Sequence, residues 1–335
     1  MALPWPWNRG AAGAPPPEDP AAAQQRLQQE RDRQERDQYL LESGQLPSTA
    51  RARLESLGER GPGALAFTSD LAPDEAALLR QQGFQAICLV GGSALYHVGY
   101  AYASAWQDVE VAQLSQAYNE ATRLATERMA MEAAVVGAHG VVGVRYTIVR
   151  HEWADRTIEV QLVGTAVRGP GPAPRQPWLC DLSGQEWWAL RRAGYEAAAL
   201  AYGHCTWFIL TQMQDEWTEQ SFSNAELRHF SEALAHCRNR ASAHLLRCAR
   251  DAGATGLVGV HISRRLDEVR LTGSDENPAY EREHHNLVLS MIGTAIRRRP
   301  DAERPAASGR GPSLVLSLRD GRLVPAESIA ESDFE

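Results

Sequence analysis

Cys237, His244 and Cys248 fall at i, i+7 and i+11, close to one face of a helix. Thiolate and imidazole are ligands for zinc or copper(I), so this trio is the chain's candidate metal site. The competing reading is that both cysteines fill core positions as small apolar side chains, with His244 at the edge. Other reactive residues are worse placed. His204 and Cys205 are neighbours in a strand pattern and point to opposite faces, which makes them a poor nucleophile–base pair. His284-His285 sits in a charged stretch, and His151-Glu152-Trp153 reads as a turn or oligomer contact. No paired carboxylates, Walker loop, GxSxG or HExxH pattern stands out, and all 34 basic residues are arginine. The expectation is a protein that is not an enzyme.

The elements that would position these residues occur twice. Gly137-Ala138-His139-Gly140-Val141-Val142-Gly143-Val144 returns as Gly253-Ala254-Thr255-Gly256-Leu257-Val258-Gly259-Val260, and Gly164-Thr165-Ala166 returns as Gly293-Thr294-Ala295. Ahead of each copy comes a helical stretch, about 115–136 and 225–252, and an apolar segment read as a buried strand, 84–98 and 195–210. Gly137 and Gly253 stop the helix in a left-handed conformation. Gly140 and Gly256 are expected to permit the turn into the next strand. Gly143 and Gly259 lie inside that strand, where glycine costs stability unless another backbone comes close. Ile158, Val160 and Leu162 alternate with polar residues, so the last strand has one wet face. The second copy carries an insertion within Ser263–His285, expected as an exposed loop.

Comparing the copies weighs the chemistry. Residues 69–98 pair with 180–209, and 113–145 with 229–261. Across these pairs no histidine meets histidine and no cysteine meets cysteine. Asp70/Asp181, Glu75/Glu186 and Arg80/Arg191 do match, among many small apolar residues. A retained fold is preserved here, not a retained reaction.

A chain of 335 residues with 44% hydrophobic residues has material for more than one domain. Its net charge of -8 argues against a nucleic-acid binder. No apolar run is long enough for a membrane-spanning helix. Five cysteines without CxxC spacing point to a cytoplasmic, reduced protein. Residues 1–20 are expected to be disordered, with Trp5 and Trp7 as a docking motif or a bare tail. Residues 21–60 form a helical arm that could hold a protein partner. Residues 168–177 read as a Pro/Gly-rich linker and 297–335 as a flexible tail, with a hairpin signal at Asp320-Gly321. On a short helix, one of Trp187 and Trp188 should be core.

The run Ala117-Tyr118-Asn119-Glu120, the Ala/Arg/Glu-rich helix, GAHGVVGV and the strand ending in GTAV resemble the YbjQ-like family, also called a heavy-metal-binding domain. The resemblance covers 68–167 and, more diverged, 180–296. It implies an α+β fold of two repeated small domains, each a long helix packed on an antiparallel sheet (YbjQ/dodecin-like), following the helical N-terminal arm. It also implies assembly into homo-oligomeric rings. Where the family usually carries acidic residues after the VVG segment, this chain has Arg145 and Thr147, then His261 and Ser263. The glycines Gly137, Gly140, Gly143, Gly164, Gly253, Gly256, Gly259 and Gly293 are the repeated structural motif. The function expected is an oligomeric scaffold or binding module, the alternative being a metal-binding or metal-sensing protein using Cys237, His244 and Cys248.

Overall fold

A computed structural model of the chain describes residues 20–58, 68–99, 108–150, 157–211, 224–270, 283–300, 314–316 and 323–325. Trp5, Trp7, His151–Trp153 and Asp320-Gly321 lie outside them. The chain forms two compact units, the first ending at Pro62 and the second starting at Gly63. In the first, α1 (Pro20–Glu42) and α2 (Ser48–Gly58) make a helical hairpin. The Ser48 N–H donates to Asp37 Oδ1 at 2.7 Å, tying the start of α2 to α1.

The second unit holds both repeats. Repeat 1 runs α3 (Pro73–Gln81), β1 (Gln85–His97), β2 (Val109–Glu110), α4 (Ala112–Val135), β3 (Gly140–Arg150) and β4 (Thr157–Arg168). Repeat 2 runs β5 (Trp178–Leu179), α5 (Gly184–Arg192), β6 (Tyr195–Ile209), α6 (Arg228–Asp251), β7 (Gly256–Arg270) and β8 (Glu283–Arg298). A small antiparallel pair, β9 (Leu314–Leu316) and β10 (Leu323–Pro325), follows. No helix among the described residues is long and apolar enough to cross a membrane.

The repeats exchange strands. One sheet has the order β1-β4-β3-β5 and the other β2-β6-β8-β7, so each borrows its edge strand from the other repeat. A continuous core follows across the boundary, with Leu79, Phe84, Val142 and Val167 from repeat 1 against Cys180, Leu182, Trp187 and Leu190 from repeat 2. Trp187 is fully buried here, while Trp188 is half-buried beneath the Arg192 guanidinium. Residues 169–177 therefore connect two bodies that are already interlocked.

Detail repeats faithfully. The β1–β4 and β6–β8 pairings skip a residue at matching places, Ala86/Cys88 and Ala197/Ala199. The Thr of each GTA motif clasps its own repeat: Thr165 Oγ1 accepts the Asp70 N–H, and Thr294 Oγ1 the Asp181 N–H, both at 3.1 Å. Gly137 and Gly253 end their helices with φ of 67° and 65°, as read from the sequence.

Three glycine and loop readings change. Gly143 and Gly259 sit at φ of 67° and 64°, inside a register skip in β3 and β7. Their shared reason is a bulge needing left-handed backbone rather than close approach of another backbone, although the Leu182 side chain stands 2.7 Å from where a Cβ of Gly259 would lie. Close approach belongs to Gly92 and Gly203, where an added Cβ would lie 1.9 Å from Ala125 O and 2.0 Å from Ala241 O. Gly140, expected to permit the turn into β3, is the first residue of that strand and seats the Trp178 ring, 2.1 Å from where its Cβ would stand. Of the stretch 263–285 expected as an exposed loop, Ser263–Arg270 and Glu283–His285 are strand, with Ser263 paired to Ser290 and Arg270 to Glu283, and residues 271–282 lie outside the described ones.

Candidate functional site

An edge strand exposes unpaired N–H and C=O groups that need a partner. β6 is such a strand, and the segment leading into α4 supplies the partner from repeat 1. Asp108 Oδ1 accepts the Leu210 N–H at 2.8 Å, and Val109 and Glu110 pair with Phe208 and Trp207. The Val111 N–H donates to Thr206 O at 2.9 Å, and Ser115 Oγ accepts the Thr206 N–H at 2.9 Å. Asn119 then grips the His204 backbone twice, accepting its N–H at 3.1 Å and donating to its carbonyl at 3.0 Å. Residues 111, 115, 119 and 122 are spaced to share one helical face, so one side of α4 acts as a missing strand.

At the end of that row lies the His204 ring, 2% exposed. Thr122 donates its hydroxyl proton to Tyr118 O at 2.8 Å, so it accepts from His204 Nε2–H at 3.0 Å. Nδ1 is left to accept the Ser290 hydroxyl at 2.9 Å. Burial pushes the imidazole down to about 3, and His244 adds to the shift. Burial likewise raises the Tyr146 and Tyr202 phenols. Ser290 and His204 thus have the spacing of a nucleophile and base without the basicity, since a general base works best with a pKa near the working pH. Beside them opens a cavity of about 220 Å³, lined by Tyr146, Ile148, Ser263, Arg265, Val288 and Ser290. Arg265 spans the repeats, donating to Tyr118 OH at 2.8 Å and pairing with Asp267 at 2.8 Å.

The predicted metal ligands lie on α6. A rise of about 1.5 Å per residue sets Cys237 roughly 10 Å along the axis from His244 and roughly 16 Å from Cys248, beyond the reach of a single ion. Cys237 is fully buried and donates to Cys205 O at 3.1 Å. Its hydrogen bond with Cys205, and then burial, push its thiol up; burial also raises Cys248. His244 Nδ1 lies 3.5 Å from Cys248 Sγ and 3.1 Å from Tyr202 O. His244 and Cys248 are therefore the one pair of the three brought together. Among the described residues no three His, Cys, Asp or Glu side chains converge as a metal site would need. The arrangement does not fit a metal held by all three.

The repeated motif has two different environments. In β3 it is covered by repeat 2: the Gly143 N–H donates to Leu182 O at 3.0 Å, the Val144 N–H to Cys180 O at 2.9 Å, and the Cys180 N–H to Val141 O at 3.0 Å. In β7 the same residues lie on the outer edge of the sheet. Val144 is 4% exposed and its counterpart Val260 40%; Ile262 reaches 56% and Leu266 47%.

Repetition in the sequence marked the helices, the strands and the GTA segments, but not the clasp their threonines make. It missed Gly92 and Gly203, although they match at the same offset as Asp70 and Asp181. His204 was seen as a neighbour of Cys205, not as the centre of the joint. Its counterpart is Ser93, so repetition gave no signal there.

Residues 107–169 match a YbjQ-like family profile described as "Putative heavy-metal-binding". The chain is 33% identical over 258 residues to an encapsulin nanocompartment protein of Mycobacterium tuberculosis, covering 75% of this chain and 92% of that protein. It is also 32% identical over 92 residues to a UPF0145 protein of Helicobacter hepaticus, covering 26% of this chain and 87% of that one. No solved structure matches it.

Proposed function

Because this chain belongs to the YbjQ-like family, as a tandem of two such repeats, we propose that it is a non-catalytic oligomeric scaffold or binding module. One observation carries the reading. The motif strand buried by a neighbour in repeat 1 is left bare in repeat 2, with Val260, Ile262 and Leu266 facing outward. Large exposed aliphatics along a sheet edge favour association. The mycobacterial relative's name, a nanocompartment protein, agrees with an assembling role. The absence of catalysis is supported by a His204 that stays neutral and by a buried Cys180 thiol pushed up to about 12. A cytoplasmic location is in keeping with five cysteines that are all free. Light scattering on the purified full chain is the test: a mass at least twice that of one chain is expected, and a monomer at micromolar concentration would defeat the reading.

Metal binding is the second reading, favoured by the His244–Cys248 contact and the family's description. It would rest on those two side chains and on ligands from elsewhere. Elemental analysis with Cys237→Ser and Cys248→Ser variants decides it. Stoichiometric zinc or copper lost in Cys248→Ser but kept in Cys237→Ser would support a site at that pair, and a metal-free protein would remove it.

A further inference from the structure

The joint between the repeats has two halves, and the chain carries a second, unused copy of each. Repeat 1 contributes α4 with its leading segment and the β3 edge. Repeat 2 contributes the β6 edge and residues 178–182, which bond to β3. By the repeat correspondence, α6 and the β7 edge match the first half, and β1 with Thr68–Leu71 matches the second. We infer that these two free halves dock on each other between copies of this chain, so that α6 and β7 of one copy receive β1 and residues 68–71 of the next.

Four observations carry this, and it rests on the oligomeric reading above. First, the free halves are exposed where the used ones are covered. Ser115 and Thr122 on α4 are buried, whereas Ser231 and Arg238 at the matching places on α6 are exposed. Thr206 on β6 is fully buried, whereas its counterpart Leu95 on β1 is 59% exposed. Second, the free halves already have the docked shape. Val111 and Leu227 enter their helices at nearly the same angles, φ -84° and ψ 80° against φ -78° and ψ 81°. The bulge that turns the Gly143 and Val144 amides toward residues 180–182 recurs at Gly259 and Val260. Third, residues 69–71 are held ready on their own repeat, with the Asp70 N–H on Thr165 Oγ1 just as the Asp181 N–H is on Thr294 Oγ1. Fourth, the halves differ from each other, so the contact is head-to-tail and propagates until it closes into a ring or runs on as a filament.

The outer joint is not identical to the inner one. Asn119, Thr122 and His204 become Ala235, Arg238 and Ser93, so the bonds that Asn119 and Thr122 make to His204 have no equivalent between chains, while Ser231 keeps the hydroxyl of Ser115. Dilution should therefore open the outer joint while the inner one stays closed.

The experiment uses the full chain with Leu95→Cys and Ser231→Cys together. Their counterparts meet in the inner joint, Ser115 Oγ lying 2.9 Å from the Thr206 nitrogen. Both positions are exposed, so neither change should disturb folding. A short bismaleimide should convert the double variant into a ladder of covalent multimers and leave either single variant without one. A multimer by light scattering that gives no ladder overturns the docking but not the oligomeric reading. A monomer gives no ladder and overturns both.

Discussion

β3 and β7 begin with nearly the same five residues, Gly140–Val144 and Gly256–Val260, and end in opposite surroundings. In β3 the motif is roofed by Trp178, Cys180 and Leu182, and Val141, Val142 and Val144 are buried. In β7 the matching Leu257 and Val258 are half-buried and Val260 is exposed. The motif itself fixes backbone shape through the bulge glycine and the Thr clasp. Its burial is set by which neighbour supplies the covering segment. Conformation and assembly are thus written in different residues: the former in Gly and Thr shared by both copies, the latter in the edge residues that differ.

The sharpest way to break this comparison is at the positions where both repeats have equal need. Gly92→Ala and Gly203→Ala each force a Cβ into a helix carbonyl, and should each cost about 3 kcal/mol by urea denaturation. If only one did, the repeats would not share that packing. Next comes a change felt by the joint alone. His204 titrates near 6.5 when unfolded and near 3 when folded, so the unfolded state binds the extra proton as pH falls. Stability from this group is complete above pH 6.5 and declines below it, by roughly 2 kcal/mol between pH 7 and pH 5. A His204→Asn variant should lose that part of the slope, and an unchanged slope would remove His204 from the account. Gly143→Val and Gly259→Val put a β-branched residue at positive φ and should each cost roughly 1–3 kcal/mol in thermal unfolding. Unchanged midpoints would dismiss the bulge. The smallest effect on stability separates the two strands most cleanly. Ile262→Arg, on an exposed position, should shift the unfolding free energy by less than about 0.5 kcal/mol yet lower the mass seen by light scattering.

Sequence periodicity carried the architecture well, because helix and strand patterns are local. The helices expected at 115–136 and 225–252 run from Ala112 to Val135 and from Arg228 to Asp251. The strand exchange was not legible, because Trp178–Leu179 and Val109–Glu110 are two-residue strands with no period to detect. The charged stretch at 263–285 looked like a loop by composition, yet its described ends pair as strand, Ser263 with Ser290 and Arg270 with Glu283. The metal trio was found by angular position on a helix, which ignores distance along the axis. His204 stayed hidden for a different cause: a buried polar network is assembled from four elements, α4, β3, β6 and β8, and no single segment of sequence displays it.

The proline-rich stretch at 169–177 joins two bodies that hold each other by strands, a shared core and the Arg265–Tyr118 clamp. Covalent continuity there adds tethering and little else. A chain nicked within 171–176 should elute from a sizing column as an intact particle and separate into two pieces only in denaturant. Gene fission at that point would yield two half-proteins that find one another, each supplying the strand its partner lacks.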